Sequence, residues 1–207
     1  KIIMNNVNLI DALWPNNKSQ NYIRNISIII LGTILLAVSA HIKIPIPPVP
    51  VTLQTLVVLV FAMMVGRNLA FITFFFYLFQ GSIGLPVFAN PPFSGPYYLI
   101  GSSGGYLFGM LLASYVVGYL AEKNYDKKYF NSLFTIFLGT LIIFIPGLIW
   151  LGFWFDNFHP KSENIDFSSG YKLAFTHGLF VFKFTEPIKM ALAASITPLL
   201  WQYIVKK

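Results

Sequence analysis

Two ionisable residues stand three apart in a part of the chain otherwise poor in charge: Glu186 and Lys189, in the run FTEPIKM. On a helix, positions i and i+3 share a face. Pro187 suits a first helical turn and leaves Glu186 at the cap. In a membrane protein, charges at depth are costly, usually paired and usually functional. One reading is an ion pair that satisfies itself at a helix entry. A binding reading needs further polar groups nearby. Asn90 is a candidate, in the middle of an uncharged loop, and Gln54 is another, at the start of an apolar run. A carboxylate accepts N–H donors, an amide donates and accepts, and an ammonium donates to a carbonyl. That set suits a neutral, planar ligand with N–H groups flanking a C=O, such as a urea or an amide ring. Phe88, Phe93, Tyr97 and Tyr98 are placed to pack its apolar part.

No catalytic set accompanies these residues. His41, His159 and His177 are scattered and lack metal-ligand spacing. Ser102, Ser103 and Ser114 have no evident base near them in sequence. There is no cysteine, which removes thiolate metal sites and a cysteine nucleophile. No phosphate-binding P-loop occurs, so ATP hydrolysis by this chain itself is not expected. A membrane enzyme using Glu186 as general base is a competing class, but a single acid without an electrophile-stabilising set is thin support. A structural scaffold with Glu186 and Lys189 as packing glue is a third.

The elements that must position the polar residues are apolar. The 207 residues are 56% hydrophobic and 10% charged, with a mean hydropathy of +0.68. Soluble domains average about 25% charged residues, so this reads as an all-α polytopic membrane protein. At about 20 residues per span, five or six spans fit. The net charge of +7 is too scattered for nucleic acid. Residues 1–22 read as a peripheral or interfacial segment, with Trp14 at headgroup level and Pro15 stopping any helix. No cleavable signal is expected there. Residues 23–207 read as one transmembrane domain.

Within it, Ile23–Ile42 is the first span. Thr33 and Ala37 share a face, a spacing that lets another helix come close. KIPIPPVP (43–50) carries four prolines and is expected to be extended. Val51–Val65 is a short second span and Leu69–Gln80 a third. The fourth opens at Gly104-Gly105-Tyr106, with Gly105, Gly109 and Ala113 repeating every four residues. Leu133–Phe155 is the fifth, with a kink expected at Pro146-Gly147. A surface helix is expected over 171–182, and Pro187–Val205 is the sixth span. The stretch from Gly84 to Gly109, rich in Gly and Pro, holds no charged residue. Irregular backbone at membrane depth is tolerated where it lines a cavity. This loop therefore reads either as the lining of a small-molecule site or as a tight connector.

With six spans, one side holds Lys1, Lys18, Arg24, Arg67, Lys123, Lys127, Lys128, Lys206 and Lys207, nine of the fourteen basic residues. The other holds Lys43, Lys161, Lys172 and Lys183. The positive-inside rule makes the first side, and both termini, cytoplasmic. The Pro-rich segment, the Gly/Pro loop and the 156–184 connection then share one outer mouth.

The runs IPIPPVPVTLQT (44–55), YLFQGSIGLPVFAN (77–90), GSSGGYLFG (101–109) and EPIKMALAA (186–194) resemble the BioY family, the biotin-binding S components of energy-coupling factor transporters. The resemblance covers about residues 25–205. It implies the six-helix S-component fold, capture of biotin from outside, residence in the cell membrane, and coupling to a membrane scaffold subunit with two cytosolic ATPases. No cofactor is implied. The family's acid and lysine three apart land on Glu186 and Lys189, its loop asparagine on Asn90, and its scaffold-docking small residues on Thr33 and Ala37. The acid is usually Asp, so Glu186 is one methylene longer. Gly101-Ser102-Ser103-Gly104-Gly105-Tyr106 departs from the family's GPTGGY. Within transport, the alternatives are a different small vitamin or biotin uptake without coupled ATPases.

Overall fold

The computed structural model describes residues 8–15, 21–158 and 170–205. The expectations placed on Lys1, Lys18, His159, Lys161, Lys206 and Lys207 lie outside the described residues. The chain is all-α, with eight α-helices and one two-stranded hairpin among the described residues. The hairpin is the Pro-rich segment: β1 (Lys43–Ile44) pairs antiparallel with β2 (Val51–Thr52), with Lys43 opposite Thr52. Proline cannot donate to a ladder, so the prolines occupy the connection and the strands stay short.

The helices follow the apolar runs. After a short α1 (Leu9–Leu13) come α2 (Asn21–His41), α3 (Gln54–Val65), α4 (Arg67–Ser82), α5 (Gly104–Glu122), α6 (Tyr129–Phe158), α7 (Gly170–Gly178) and α8 (Thr185–Val205). By length and composition, α2, α5 and α6 suffice to cross a membrane. Helix α3 has 12 residues, about 18 Å at 1.5 Å per residue. The second span expected over Val51–Val65 is thus part hairpin, part helix. Helix α6 runs through Pro146 without interruption. The expected surface helix over 171–182 is α7 followed by a 3₁₀ turn at Phe180–Phe182.

Lipid-facing and bundle-facing residues separate along each helix. On α2, Ile26, Ile30, Ile34 and Val38 are exposed, while Ile28, Gly32, Leu36 and Ala40 are buried. Helix α5 lies at the centre, packed on α3, α4 and α6. Gly105 and Gly109 of its small-residue repeat face α6. A Cβ on Gly105 would sit 2.3 Å from Trp150 Cβ, and one on Gly109 2.7 Å from Ile143 Cα. Pro146 has no N–H, so the carbonyl of Ile142 loses its usual helical donor. That carbonyl oxygen is 2.9 Å from the Gly109 Cβ position.

One end of the bundle gathers the turn between α3 and α4, α1 and the α5–α6 loop. Gly66 makes the turn at φ +81°, in the left-handed region that favours glycine. Arg67 donates its backbone N–H to Glu122 Oε1 at 3.0 Å and pairs through Nε with Oε2 at 3.2 Å. Asn8 donates to the Val65 carbonyl. Arg24, counted among the cytoplasmic-side basic residues, is buried and pairs with Asp11 at 2.7 Å. Trp201 of α8 donates its indole N–H to Asp126; burial holds the Asp126 carboxyl above the usual carboxylate range despite that bond and nearby Lys127. The hairpin and the loop from 83 to 103 meet at the opposite end, where Ser102 donates to the Pro48 carbonyl at 2.8 Å.

Candidate binding site

Helix α8 begins at Thr185, which places Glu186 in its first turn, where the helix dipole favours an anion. Lys189, one turn on, pairs with it. Both are buried, at 6% and 8% exposure. The lysine has three N–H donors, and each has a partner: Glu186, the Thr52 carbonyl at 3.0 Å and Thr55 Oγ1 at 2.8 Å. The Thr55 hydroxyl in turn faces both Glu186 oxygens at 3.4 Å. Sequence therefore supplies the pair on α8, and the run VTLQT supplies its support: Thr52 ends β2 and Thr55 lies in the first turn of α3.

A cavity adjoins this cluster. Thr52, Gln54 and Thr55 form one wall; Ala89, Tyr98 and Ser103 form another; Tyr106, Phe144 and Phe182 lie among the remaining lining residues. Gln54 is 3% exposed, its side-chain amide next to the Tyr77 hydroxyl. The Tyr106 hydroxyl donates to the Gly178 carbonyl at 2.9 Å, tying α5 to α7 behind the cavity.

The loop side is built by aromatic packing. Asn90 donates its backbone N–H to the Tyr98 hydroxyl at 3.2 Å, and its Oδ1 accepts from Lys43 at 3.0 Å. Phe88 is fully buried, stacked on Tyr98 with ring centroids 4.4 Å apart and edge-on to Tyr77. It supports the lining ring from behind and does not line the cavity itself. Tyr97 is 80% exposed and also lies outside the lining. These two tyrosines belong to a 3₁₀ helix, Pro96–Ile100, in which successive side chains point about 120° apart. Only one of them can face inward, and it is Tyr98. Phe93 is not among the lining residues and is stacked on His41.

The structure thus groups Glu186, Lys189 and Gln54 around Thr55, and places Asn90 next to the loop wall. Sequence reasoning singles out Tyr98 as a ligand-packing aromatic but not Thr52, Thr55, Ser103 or Tyr106 as site residues. The spacing of the two threonines either side of Gln54 was the available signal for the first two. Among the described residues no cluster of three or more His, Asp or Glu side chains is placed to hold a metal ion.

The comparisons agree with one another. The BioY family model matches residues 11–206, which include every residue of this site. A protein of Rickettsia prowazekii called probable biotin transporter BioY is 35% identical over 133 residues, covering 64% of this chain and 68% of its own length. The biotin transporter BioY of Thermotoga maritima is 39% identical over 122 residues, covering 59% and 70%. In fold, the chain resembles the crystal structure of the S-component for biotin from an ECF-type ABC transporter, with a TM-score of 0.71 at 23% identity, over 90% of this chain and 95% of that one. By its match to the family model and to these relatives, this chain is a member of the BioY family.

Proposed function

We propose that this protein captures biotin from the outer side of the cell membrane and delivers it inward as the substrate-binding subunit of an energy-coupling factor transporter. The observation that carries the reading is the cavity between the α3 entry and the Gly/Pro loop, with the buried Gln54 amide in its wall and the buried Glu186–Lys189 pair behind Thr55. Glu186 accepts ureido N–H groups, and amide donors meet the ureido oxygen. No cofactor is needed for binding, and the names of the relatives support biotin over other small vitamins. Calorimetric titration of biotin into the purified, detergent-solubilised protein tests this. Saturable one-to-one binding is expected; a folded protein that takes up no biotin overturns the reading.

Coupling to the membrane scaffold and ATPases runs through α2 in this proposal. Thr33 is buried, its hydroxyl donating to the Ile30 carbonyl at 2.9 Å, whereas Ala37 is partly exposed. Ala37 is therefore the position where a partner helix comes close. Ala37→Trp is expected to retain biotin binding and to lose co-purification with the scaffold. An intact complex carrying this variant would refute the docking assignment.

Orientation follows from the charge asymmetry, with both termini cytoplasmic. Since the chain has no cysteine, Asn124→Cys in the α5–α6 loop is a clean probe. It is expected to react with an impermeant maleimide only from the cytoplasmic side. Labelling from outside would invert the topology.

A further inference from the structure

Lys43 makes no ion pair among the described residues. Its ammonium instead crosses from β1 to the Gly/Pro loop, donating to the Ala89 carbonyl and, at 3.0 Å, to Asn90 Oδ1. It also lies 5.4 Å from the centroid of Phe93. Asn90 is otherwise held through its backbone: its N–H donates to Tyr98 and its carbonyl accepts from the Phe93 N–H at 2.7 Å. The remaining freedom at this residue is the orientation of its amide.

An ammonium has donors and no acceptor. The Asn90 atom facing Lys43 must therefore be the oxygen, a consequence of hydrogen-bond chemistry. The two N–H donors of Nδ2 are left for another group. We propose that Lys43 is a positioning residue for ligand recognition: it holds the Asn90 amide as a donor, so the ligand atom that Asn90 meets must be an acceptor. This inference rests on the biotin reading, in which that atom is the ureido oxygen. Lys189 strengthens it, because all three of its donors are already engaged. The ligand carbonyl is then left to amide donors, and the acceptor Glu186 takes its N–H groups. A ring offering N–H in place of C=O would set donor against donor at Asn90.

The test titrates biotin and its thio analogue, with sulfur in place of the ureido oxygen, into the full-length protein and variants. Sulfur is the weaker acceptor, and neither ligand changes the charge at this end. Lys43→Met keeps the length and removes the donors. It is expected to weaken biotin binding about tenfold, the size of one hydrogen bond. Lys43→Arg restores donors and should stay within about threefold of the parent. The parent should prefer biotin over the thio analogue, and Lys43→Met should shrink that preference. Lys43→Met combined with Asn90→Ala should bind no worse than Asn90→Ala alone, since the lysine acts through the asparagine.

Parental affinity in Lys43→Met, or an unchanged preference between the two ligands, overturns the positioning role. A loss that disappears when the ligand's carboxyl is converted to an amide also overturns it, because Lys43 would then be meeting the carboxylate. A parent that binds no biotin instead overturns the reading beneath. Thermal melts of each variant separate a binding loss from misfolding, and Lys43→Arg keeps the test open if Lys43→Met does not fold.

Discussion

Lys189→Ala is expected to lower biotin affinity by a hundredfold or more and to lower the melting temperature with it. The lysine holds Glu186, the last residue of β2 through the Thr52 carbonyl, and Thr55 in the first turn of α3. Removing it leaves a buried carboxylate without its partner, an effect of roughly 3–5 kcal/mol. At 1.4 kcal/mol per decade, that energy accounts for the affinity loss if it falls on the bound geometry. Three elements also lose their common tie, so the cavity wall formed by Thr52, Gln54 and Thr55 loosens. Glu186→Gln keeps the shape, removes the charge and should cost less, about ten- to a hundredfold, since a charge-assisted bond contributes about 1.5–3 kcal/mol. The double variant Glu186→Gln with Lys189→Ala should melt above Lys189→Ala alone, because no unpaired buried charge remains. Calorimetric titration and thermal melts decide the matter. Parental affinity and melting temperature in Lys189→Ala would reduce the pair to a bystander.

Gly109→Leu carries the second large effect, through packing. A Cβ there would lie 2.6 Å from the Ile143 carbonyl oxygen and 2.7 Å from Ile143 Cα. Both are backbone atoms, so no side chain can swing aside. Gly105 sits against Trp150 and Pro146 in the same seam, and helices α5 and α6 would have to separate along it. Overpacking of this kind costs about 1–3 kcal/mol, sometimes more. For a protein of this size each 1 kcal/mol shifts the melting temperature by about 2–4 °C, so a drop of about 5 °C or more is expected. Biotin binding should weaken as well, because Phe144, the residue after Ile143, lines the cavity. Phe108→Leu is the control. Phe108 neighbours Gly109 on α5 but is exposed, and its replacement should change neither stability nor binding appreciably. Equal melting temperatures for parent and Gly109→Leu would mean that the α5–α6 seam is not closely packed.

Proline marks two different outcomes. In KIPIPPVP the prolines end helical structure and leave room only for a short hairpin. At Pro146 a single proline sits inside a 30-residue helix, and the Ile142 carbonyl that loses the proline's N–H lies across from Gly109 on α5. The residue type is the same; the neighbours differ.

What the sequence by itself determined is local. The apolar runs and their Gly and Pro punctuation located the spans, since helix periodicity and backbone restriction act within a few residues. The i, i+3 spacing placed Glu186 and Lys189 on one face, and the four-residue repeat of Gly105, Gly109 and Ala113 marked a close helix seam. What only the tertiary structure decided is which distant groups complete each of these. The partners of Lys189, Thr52 and Thr55, lie 137 and 134 residues away in the chain. Tyr98 rather than Tyr97 faces the cavity because Pro96–Ile100, which holds both, winds as a 3₁₀ helix. Thr33 is turned into the bundle while Ala37, on the same stretch of α2, stays partly exposed. The contact between Lys43 and Asn90 exists because the hairpin and the Gly/Pro loop fold to the same end. Hydrogen bonds and van der Waals contacts act only over a few ångströms, so they choose partners by proximity in space, which residue spacing along the chain does not encode.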